Sequence, residues 1–492
     1  MLPYDDSNPR DIERYAKGLI GKTFQDVLYD SRFLDDAIID SKIDYSNPNQ
    51  KGKLGNLLEE KYFCYKANSD QEPDFPKCGV ELKATCFDVL KNGNLSAGER
   101  LVLTMISYES PVEHDFFKSH VWEKCKLILL IYYERNRKLK SNLLYKIRFA
   151  NLVTPVNEDL PIIIDDYNKI IAKIESGFAH ELSEGDTMYL GACTKGISSE
   201  GSLVKQFYNP IIYAKKRAFC FKRKYMDYIL HTYVLSQHSK EQELEPIVKD
   251  FRELITNSFE QIVTDKLLRY IGASDEALCK YFDMKYDTNN KLQWVNLTYK
   301  MLGIKGNKAK EFVKANVVVK VIRLEDDFTL KQSVSLPTFK FLDLVNEEWE
   351  DSKLYNYLSE TKFFFVVFKR DGEVYRLYKW KFWNMSMYDL NEYVKRDWEL
   401  FRWHIRNGVR FQIARYGTFT RVENSLPKID ETNIVHVRPH TKQSAYYIKI
   451  PNGRDVCYGD IEKYANELPQ GDWMTTQSFW LNNDYVLRRI LH

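Results

Sequence analysis

The chain lacks several features that would assign it to a class at once. Its eight cysteines show no paired C-x-x-C spacing, so no zinc framework is written into it. They lie scattered among apolar neighbours, as at Cys125 and Cys220, which suits buried thiols in a reducing cytoplasm. Net charge is only +3. No polybasic tail grips a partner, and any hold on nucleic acid has to come from Lys and Arg arranged locally. No apolar run reaches the length that spans a bilayer. The start, Met1-Leu2-Pro3-Tyr4-Asp5-Asp6, has neither the basic nor the apolar region of a signal peptide, so a cytoplasmic location is expected. What the chain does have is length: 492 residues exceed the usual single domain and point to two. Aromatic residues at 14% read as core and interface before they read as a base-stacking platform.

The informative stretch is Glu72-Pro73-Asp74-Phe75-Pro76-Lys77-Cys78-Gly79-Val80-Glu81-Leu82-Lys83. On a β-strand, alternate side chains share a face, so Glu81 and Lys83 point one way while Val80 and Leu82 enter the opposite layer. Pro76 and Gly79 signal a turn that folds Asp74 back beside Glu81. Two carboxylates and one ammonium on a sheet surface make a divalent-metal site with a built-in cation. Mg²⁺ keeps several waters and takes one or two carboxylates plus phosphate oxygens, roles for Asp74 and Glu81. Such an ion lowers the pKa of a bound water and offsets transition-state charge. Lys83 orients or helps deprotonate that water. Glu59 is a fourth candidate. It lies at the edge of an amphipathic helix whose Leu54, Leu57, Leu58 and Tyr62 recur at helical spacing. A lone Glu-x-Lys is more often a solvated strand face; the longer arrangement carries the argument.

That arrangement resembles the MutH family, which comprises a mismatch-repair nicking endonuclease and GATC-specific type II restriction endonucleases of staphylococcal type. The resemblance rests on Lys51-Gly52-Lys53-Leu54-Gly55-Asn56-Leu57-Leu58-Glu59, Pro73-Asp74-Phe75 and Gly79-Val80-Glu81-Leu82-Lys83. Ser119-His120-Val121-Trp122-Glu123-Lys124 is similar to the segment that carries a further active-site lysine, here Lys124. Ala179 to Gly185, Tyr189 to Gly196, Lys216-Arg217-Ala218-Phe219 and His436 to Lys442 resemble the restriction branch across nearly the whole chain. The resemblance implies a restriction-endonuclease-like PD-(D/E)xK fold of α/β class and Mg²⁺ dependence. It also implies recognition of double-stranded GATC, with cleavage 5′ to the G. The catalytic set it implies is Glu59, Asp74, Glu81, Lys83 and Lys124, with Asp74 and Glu81 on the metal. Glu59 and Glu60 are adjacent, and either fits the helical position.

The chain divides into a catalytic MutH-like domain over residues 1–235 and a second domain over 236–492, with a polar linker from Ser236 to Glu243. In the first, strands are expected over Leu101 to Ile106 and Lys126 to Tyr133, and helices over Asp165 to Ile174 and Tyr225 to Leu230. Ile247 to Tyr281 reads as mostly helical. The second half repeats the first in degraded form. Lys291 to Tyr299 corresponds to the Glu59 helix, Lys310 to Lys320 to Pro73 through Lys83, and Lys362 to Phe368 to the strand after Lys124. Lys320 then matches Lys83, Val318 stands for Glu81, and Glu311 falls at the Asp74 position. With valine in place of a metal carboxylate, this domain binds no catalytic Mg²⁺.

For DNA contact the sequence offers Lys195, in the family's base-reading segment, and Lys216, Arg217 and Lys222 in a basic cluster with interleaved aromatics. In the second domain Arg438, His440 and Lys442 are the candidates. Lys195 reads equally as a guanine contact, a phosphate grip or a solvated lysine. The basic cluster reads either as a groove lining or as the two faces of one element. A palindromic site with one metal centre per chain requires either two chains or two successive nicks with repositioning; self-association on DNA is expected, the second domain binding another GATC or assisting assembly. A strand-nicking repair nuclease and a non-catalytic DNA-binding protein are the alternatives.

Overall fold

The computed structural model describes residues 2–30, 53–65, 72–155, 157–195, 202–235, 244–416, 419–450 and 453–491. The expected linker at 236–243 lies outside them. The chain forms two compact units. One is Met1–Ile262 with Lys308–Asn316; the other is Val263–Asn307 with Val317–His492. Among the described residues no helix is long and apolar enough to cross a membrane.

In the first unit, helices α1 (Pro9–Ala16) and α2 (Lys53–Leu57) precede strands β1 (Glu81–Val89), β2 (Leu95–Ala97) and β3 (Leu101–Met105). Helix α3 (His120–Cys125) leads into β4 (Ile128–Glu134), β5 (Lys146–Val153) and the long helix α4 (Leu160–Glu175). Then come β6 (Leu190–Thr194), β7 (Arg217–Phe221) and α5 (Arg223–Ile229). One sheet has the order β2-β1-β4-β5, with β1 parallel to β4 and the outer pairs antiparallel. The other, β3-β7-β6, is antiparallel. Residues Ile128 through Tyr133 are all buried. A strand covered on both faces carries an unbroken apolar run instead of an alternating one. Each such side chain contributes roughly 1.5–3 kcal/mol on burial, which fixes β4 at the centre. The expected strands and helices of this half are found at β3, β4, α4 and α5. The stretch after them is helical in three pieces: Glu253–Thr256, Phe259–Leu268 and Asp275–Tyr281. Cys125 and Cys220 are buried free thiols.

One carboxylate ties α4 to the second sheet. Asp166 is fully buried. Its Oδ1 accepts the Met188 N–H at 2.6 Å, and its Oδ2 accepts those of Tyr189 and Leu190 at 2.6 and 2.9 Å. Three donors that lack strand partners at the start of β6 are thus satisfied by one side chain.

The helix Lys310–Ala315 packs in this first unit, although it follows residues of the second in the sequence. Lys314 Nζ donates to Asp159 at 2.6 Å, with both side chains almost fully buried. Glu311 accepts the N–H groups of Ile247 and Val248 at 2.9 and 3.0 Å. This corrects the placement of Glu311 at the Asp74 position. Lys310–Ala315 is helical where Asp74 precedes a tight turn, and the Glu311 carboxylate serves local backbone.

In the second unit, β8 (Val317–Leu324), β9 (Val334–Phe339), helix α6 (Lys353–Glu360), β10 (Lys362–Asp371) and β11 (Val374–Trp383) come first. Helix α7 (Lys395–Arg406), β12 (Val435–Pro439) and β13 (Gln477–Leu481) follow. Strand β8 pairs parallel with β10, which pairs antiparallel with β11; β9-β13-β12 is antiparallel. This is the pairing order of β1-β4-β5 and β3-β7-β6. Asp397 on α7 accepts the N–H groups of Asn433, Ile434 and Val435 at 2.8, 2.7 and 2.9 Å. It thus does for β12 what Asp166 does for β6.

Replacing Asp166 or Asp397 by Ala strips the acceptor from three neighbouring amides. Each lost bond to a charged group is worth about 1.5–3 kcal/mol, so a loss of at least about 3 kcal/mol is expected. Amide exchange followed by mass spectrometry reads it. D166A should expose 188–190 and leave 433–435 protected, and D397A should do the reverse.

Candidate active site

The site is built on the first turns of β1. Phe75 N–H donates to the Val80 carbonyl and Gly79 N–H to that of Phe75, both at 2.9 Å. Gly79 closes this turn at φ +70°, a left-handed conformation that costs glycine nothing. A Cβ there would also meet Lys126 Cε at 3.2 Å. The turn returns Asp74 to the start of the strand, where its Oδ2 accepts the Leu82 N–H at 2.8 Å. Val80 and Leu82 enter the apolar core with Leu54, Leu57, Leu58 and Phe75. Alternation then sends Glu81 and Lys83 to the other face.

Glu81 is buried between two amines. Its Oε1 is 2.5 Å from Lys83 Nζ and its Oε2 is 2.9 Å from Lys124 Nζ. Lys124 comes from α3, whose first turn is capped by Ser119 Oγ accepting the Trp122 N–H. The same ammonium donates to the Glu72 carbonyl, tying the segment before Asp74 to the helix. The two lysines differ in access: the Lys83 side chain is 25% exposed and that of Lys124 is 9%.

Glu59 lies in a π-turn, Leu58–Tyr62, that continues α2. Such a wide turn shifts the helical phase. The charges of Asp74, Lys83 and Glu81 all act on Glu59. Burial first, and then the Asp74 charge, pushes its carboxyl up to about 7. Burial, and then the charge of Glu81, pushes Asp74 up to about 6 even though Lys83 and the Leu82 N–H pull the other way. Glu59, Asp74, Glu81, Lys83 and Lys124 are therefore brought together. Three carboxylates against two ammoniums leave the pocket short of positive charge.

No group of three or more His, Cys, Asp and Glu among the described residues is arranged to cage a metal. The donor set still fits a Mg²⁺ ion that keeps most of its water. Asp74 has one oxygen beyond its Leu82 bond, Glu81 is adjacent, and both raised carboxyls would be relieved by a cation. One side chain escaped the sequence reading. The Tyr65 hydroxyl is buried without a hydrogen-bond partner among the described residues, and the charges of Asp74, Glu59 and Glu81 reach it. Its only signal in the sequence is its position just past the Glu59 turn.

The DNA candidates separate sharply. Lys195, immediately after β6, and Lys216, immediately before β7, are exposed, and the Lys195 N–H donates to the Lys216 carbonyl at 2.9 Å. Arg217 and Lys222 are buried, which corrects their assignment to a DNA-facing surface. Arg217 Nη1 donates to the Ala192 carbonyl at 2.8 Å, and Lys222 Nζ to those of Thr187 and Ala315 at 2.9 and 3.2 Å. Strand β7 is buried along its whole length, and Lys222 follows it as the N-cap of α5.

In the second unit Arg438, His440 and Lys442 are exposed. The Arg438 guanidinium lies 5.4 Å from the Trp480 ring centre, and His440 Nδ1 is 2.9 Å from Ser478 Oγ. Arg438 lines a cleft of about 890 Å³ together with Arg410, Gln412 and Lys428. Lys320 on β8 donates to the Ser335 carbonyl at 2.7 Å, and burial pushes its amine down to about 8.

Two comparisons bear on this site. The family model described as DNA mismatch repair enzyme MutH matches residues 63–166, a span that holds Asp74, Glu81, Lys83 and Lys124. The chain is also 36% identical over 471 residues to Type II restriction enzyme Sau3AI of Staphylococcus aureus, covering 89% of this chain and 92% of that protein.

Both raised carboxyls predict a pH signature. Their folded pKa values, about 6 for Asp74 and about 7 for Glu59, lie above the unfolded values of about 4. The folded state therefore holds these protons longer, and the metal-free protein loses stability as pH rises from about 4 through about 7. A bound cation reverses that loss. Mg²⁺ should raise the melting temperature more at pH 8 than at pH 5.5. Calorimetry near pH 6 in two buffers should show release of on the order of one proton per cation. A pH-independent stabilisation would count against the carboxylates as ligands.

Proposed function

Because the chain belongs to the MutH-type restriction endonuclease family, and is a type II site-specific deoxyribonuclease, we propose that it cuts double-stranded DNA at GATC. In this reading cleavage falls 5′ to the G and needs Mg²⁺. The observation that carries it is the pocket where Asp74, Glu81 and Glu59 meet Lys83 and Lys124.

Asp74 and Glu81 would hold the cation, which supplies an acidified water and offsets charge on the phosphate. Lys83, the more exposed amine, meets the attacking water and orients it or takes its proton. Lys124 is the buried anchor: it fixes Glu81 and the Glu72 carbonyl, so both carboxylates stand in place before DNA arrives. Glu59 reaches the same water shell from the π-turn.

The second unit is proposed as a degenerate copy without chemistry. Counting three residues on from the end of the preceding helix gives Ile128 on β4 and Phe363 on β10, which face Glu81 and Val318. On that register valine replaces Glu81, Ser359 stands for Lys124, and Lys320 keeps its amine with no acid. The recurring strand order and the paired Asp166 and Asp397 caps support a duplication. Arg438, His440 and Lys442 remain exposed for DNA. With one such acidic pocket among the described residues, two chains meeting on DNA would cut both strands without the repositioning that successive nicks need.

The nicking reading is weaker. Similarity to the type II enzyme runs over 92% of its length, while the mismatch-repair family model matches 63–166. The intact carboxylates and lysines weigh against a non-catalytic scaffold.

Incubation with a GATC-bearing plasmid separates the readings. Linear product with Mg²⁺ and none with chelator is expected; nicked circles or unaltered DNA would point to the alternatives. Lys83→Ala should lower the cleavage rate by about 10²–10⁴-fold. Lys195→Ala should relax or abolish sequence preference. Lys216→Ala should weaken binding to all duplexes and reduce the salt slope by about one. Equal effects of the last two on every sequence would make Lys195 a phosphate contact.

A further inference from the structure

Four tyrosines gather around Phe63 and Phe75 near the Glu59 turn. Three of their hydroxyls have a protein partner: Tyr4 donates to the Phe63 carbonyl at 2.7 Å, Tyr15 to that of Tyr62 at 3.2 Å, and Tyr62 to that of Tyr15 at 2.8 Å. The fourth, Tyr65, has a buried hydroxyl and no partner among the described residues. A buried hydroxyl left unbonded is costly, and one beside an acidic pocket is met there by an ordered water or ion.

The backbone aims this side chain. Cys64 is left-handed, at φ +58°, a conformation that disfavours any residue with a Cβ. The bend brings the Tyr65 N–H to the Glu59 carbonyl at 3.1 Å. It sets the ring edge-on to Phe75, with centres 5.3 Å apart, next in sequence to Asp74. The left-handed Cys64 ends the helix beside the pocket and fixes where Tyr65 leaves it. Burial and the charges of Asp74, Glu59 and Glu81 hold the phenol far above its ordinary range, so it stays neutral and able to donate.

We propose that Tyr65 is a positioning residue of the cleavage reaction, its hydroxyl donating to a water that Asp74 and Glu59 also hold around the divalent cation. The inference rests on the metal-dependent reading of this pocket. A lysine in the same place would cancel the negative charge that attracts the cation. A phenol gives the water a direction and adds no charge. The lone pairs of that water are thereby turned away from the carboxylates, as an outer-shell partner does for a metal site.

Tyr65→Phe tests this, because it removes one oxygen and keeps the ring. Three measurements are compared with the wild-type protein. The metal-free melting temperature should be unchanged or higher, since the hydroxyl has no protein partner. Mn²⁺ affinity by calorimetry should fall about tenfold, and kcat on a GATC duplex about 10–100-fold, with KM within about twofold. Wild-type values for both Mn²⁺ affinity and kcat would overturn the proposal. So would a lowered melting temperature without metal, which would give the hydroxyl a purely structural bond. A wild-type protein that binds Mn²⁺ and does not cut GATC refutes the sequence specificity alone, and the Mn²⁺ comparison still decides Tyr65. A wild-type protein that binds no Mn²⁺ overturns both readings.

Discussion

Everything in the catalytic half is arranged around one carboxylate gripped from two sides. Glu81 comes from a strand, Lys83 from the same strand two residues on, and Lys124 from a helix that packs beside it. Removing three charges from water costs several kcal/mol per ion, offset only by close geometry. The geometry is bought by ordinary structural devices: a glycine turn, a serine cap and strand alternation. Because the ion pair exists before DNA is bound, the proposed ligands would need no rearrangement to receive a cation. The remaining mismatch, carboxyls raised at Asp74 and Glu59, is what an incoming cation would relieve.

The second unit repeats part of that architecture. Strand pairing, the buried central strand Phe363 to Phe368 and the aspartate that caps three amides all recur. On the proposed register, the acids do not recur. Burial pushes the Lys320 amine down to about 8. A sheet tolerates valine in place of glutamate at an internal position because valine suits a strand. A metal centre tolerates no such change.

Much of this was legible in the sequence. The Pro-Asp turn, the Glu-x-Lys alternation and the apolar run of the central strand each depend on local pattern, and each appears where that pattern puts it. Features that depend on distant partners were not legible. Arg217 and Lys222 look like groove residues beside Lys216, and only the packing of β7 shows that carbonyls from Ala192, Thr187 and Ala315 claim them. Glu311 aligns with Asp74 as a letter, yet its helix serves Ile247 and Val248. Tyr65 carries no motif, since an unbonded hydroxyl is a property of surroundings.

The placement of Lys308–Asn316 has a practical consequence. This segment is stitched into the first unit across the sequence of the second, with Lys314 neutralising Asp159 and the Ala315 carbonyl receiving Lys222. A gene fragment that stops anywhere before it would leave Asp159 interred without its counter-ion, a defect of about 3–5 kcal/mol. The halves therefore do not come apart at a single scissors cut. Swapping modules between relatives would require transplanting a nine-residue patch along with the amino-terminal piece.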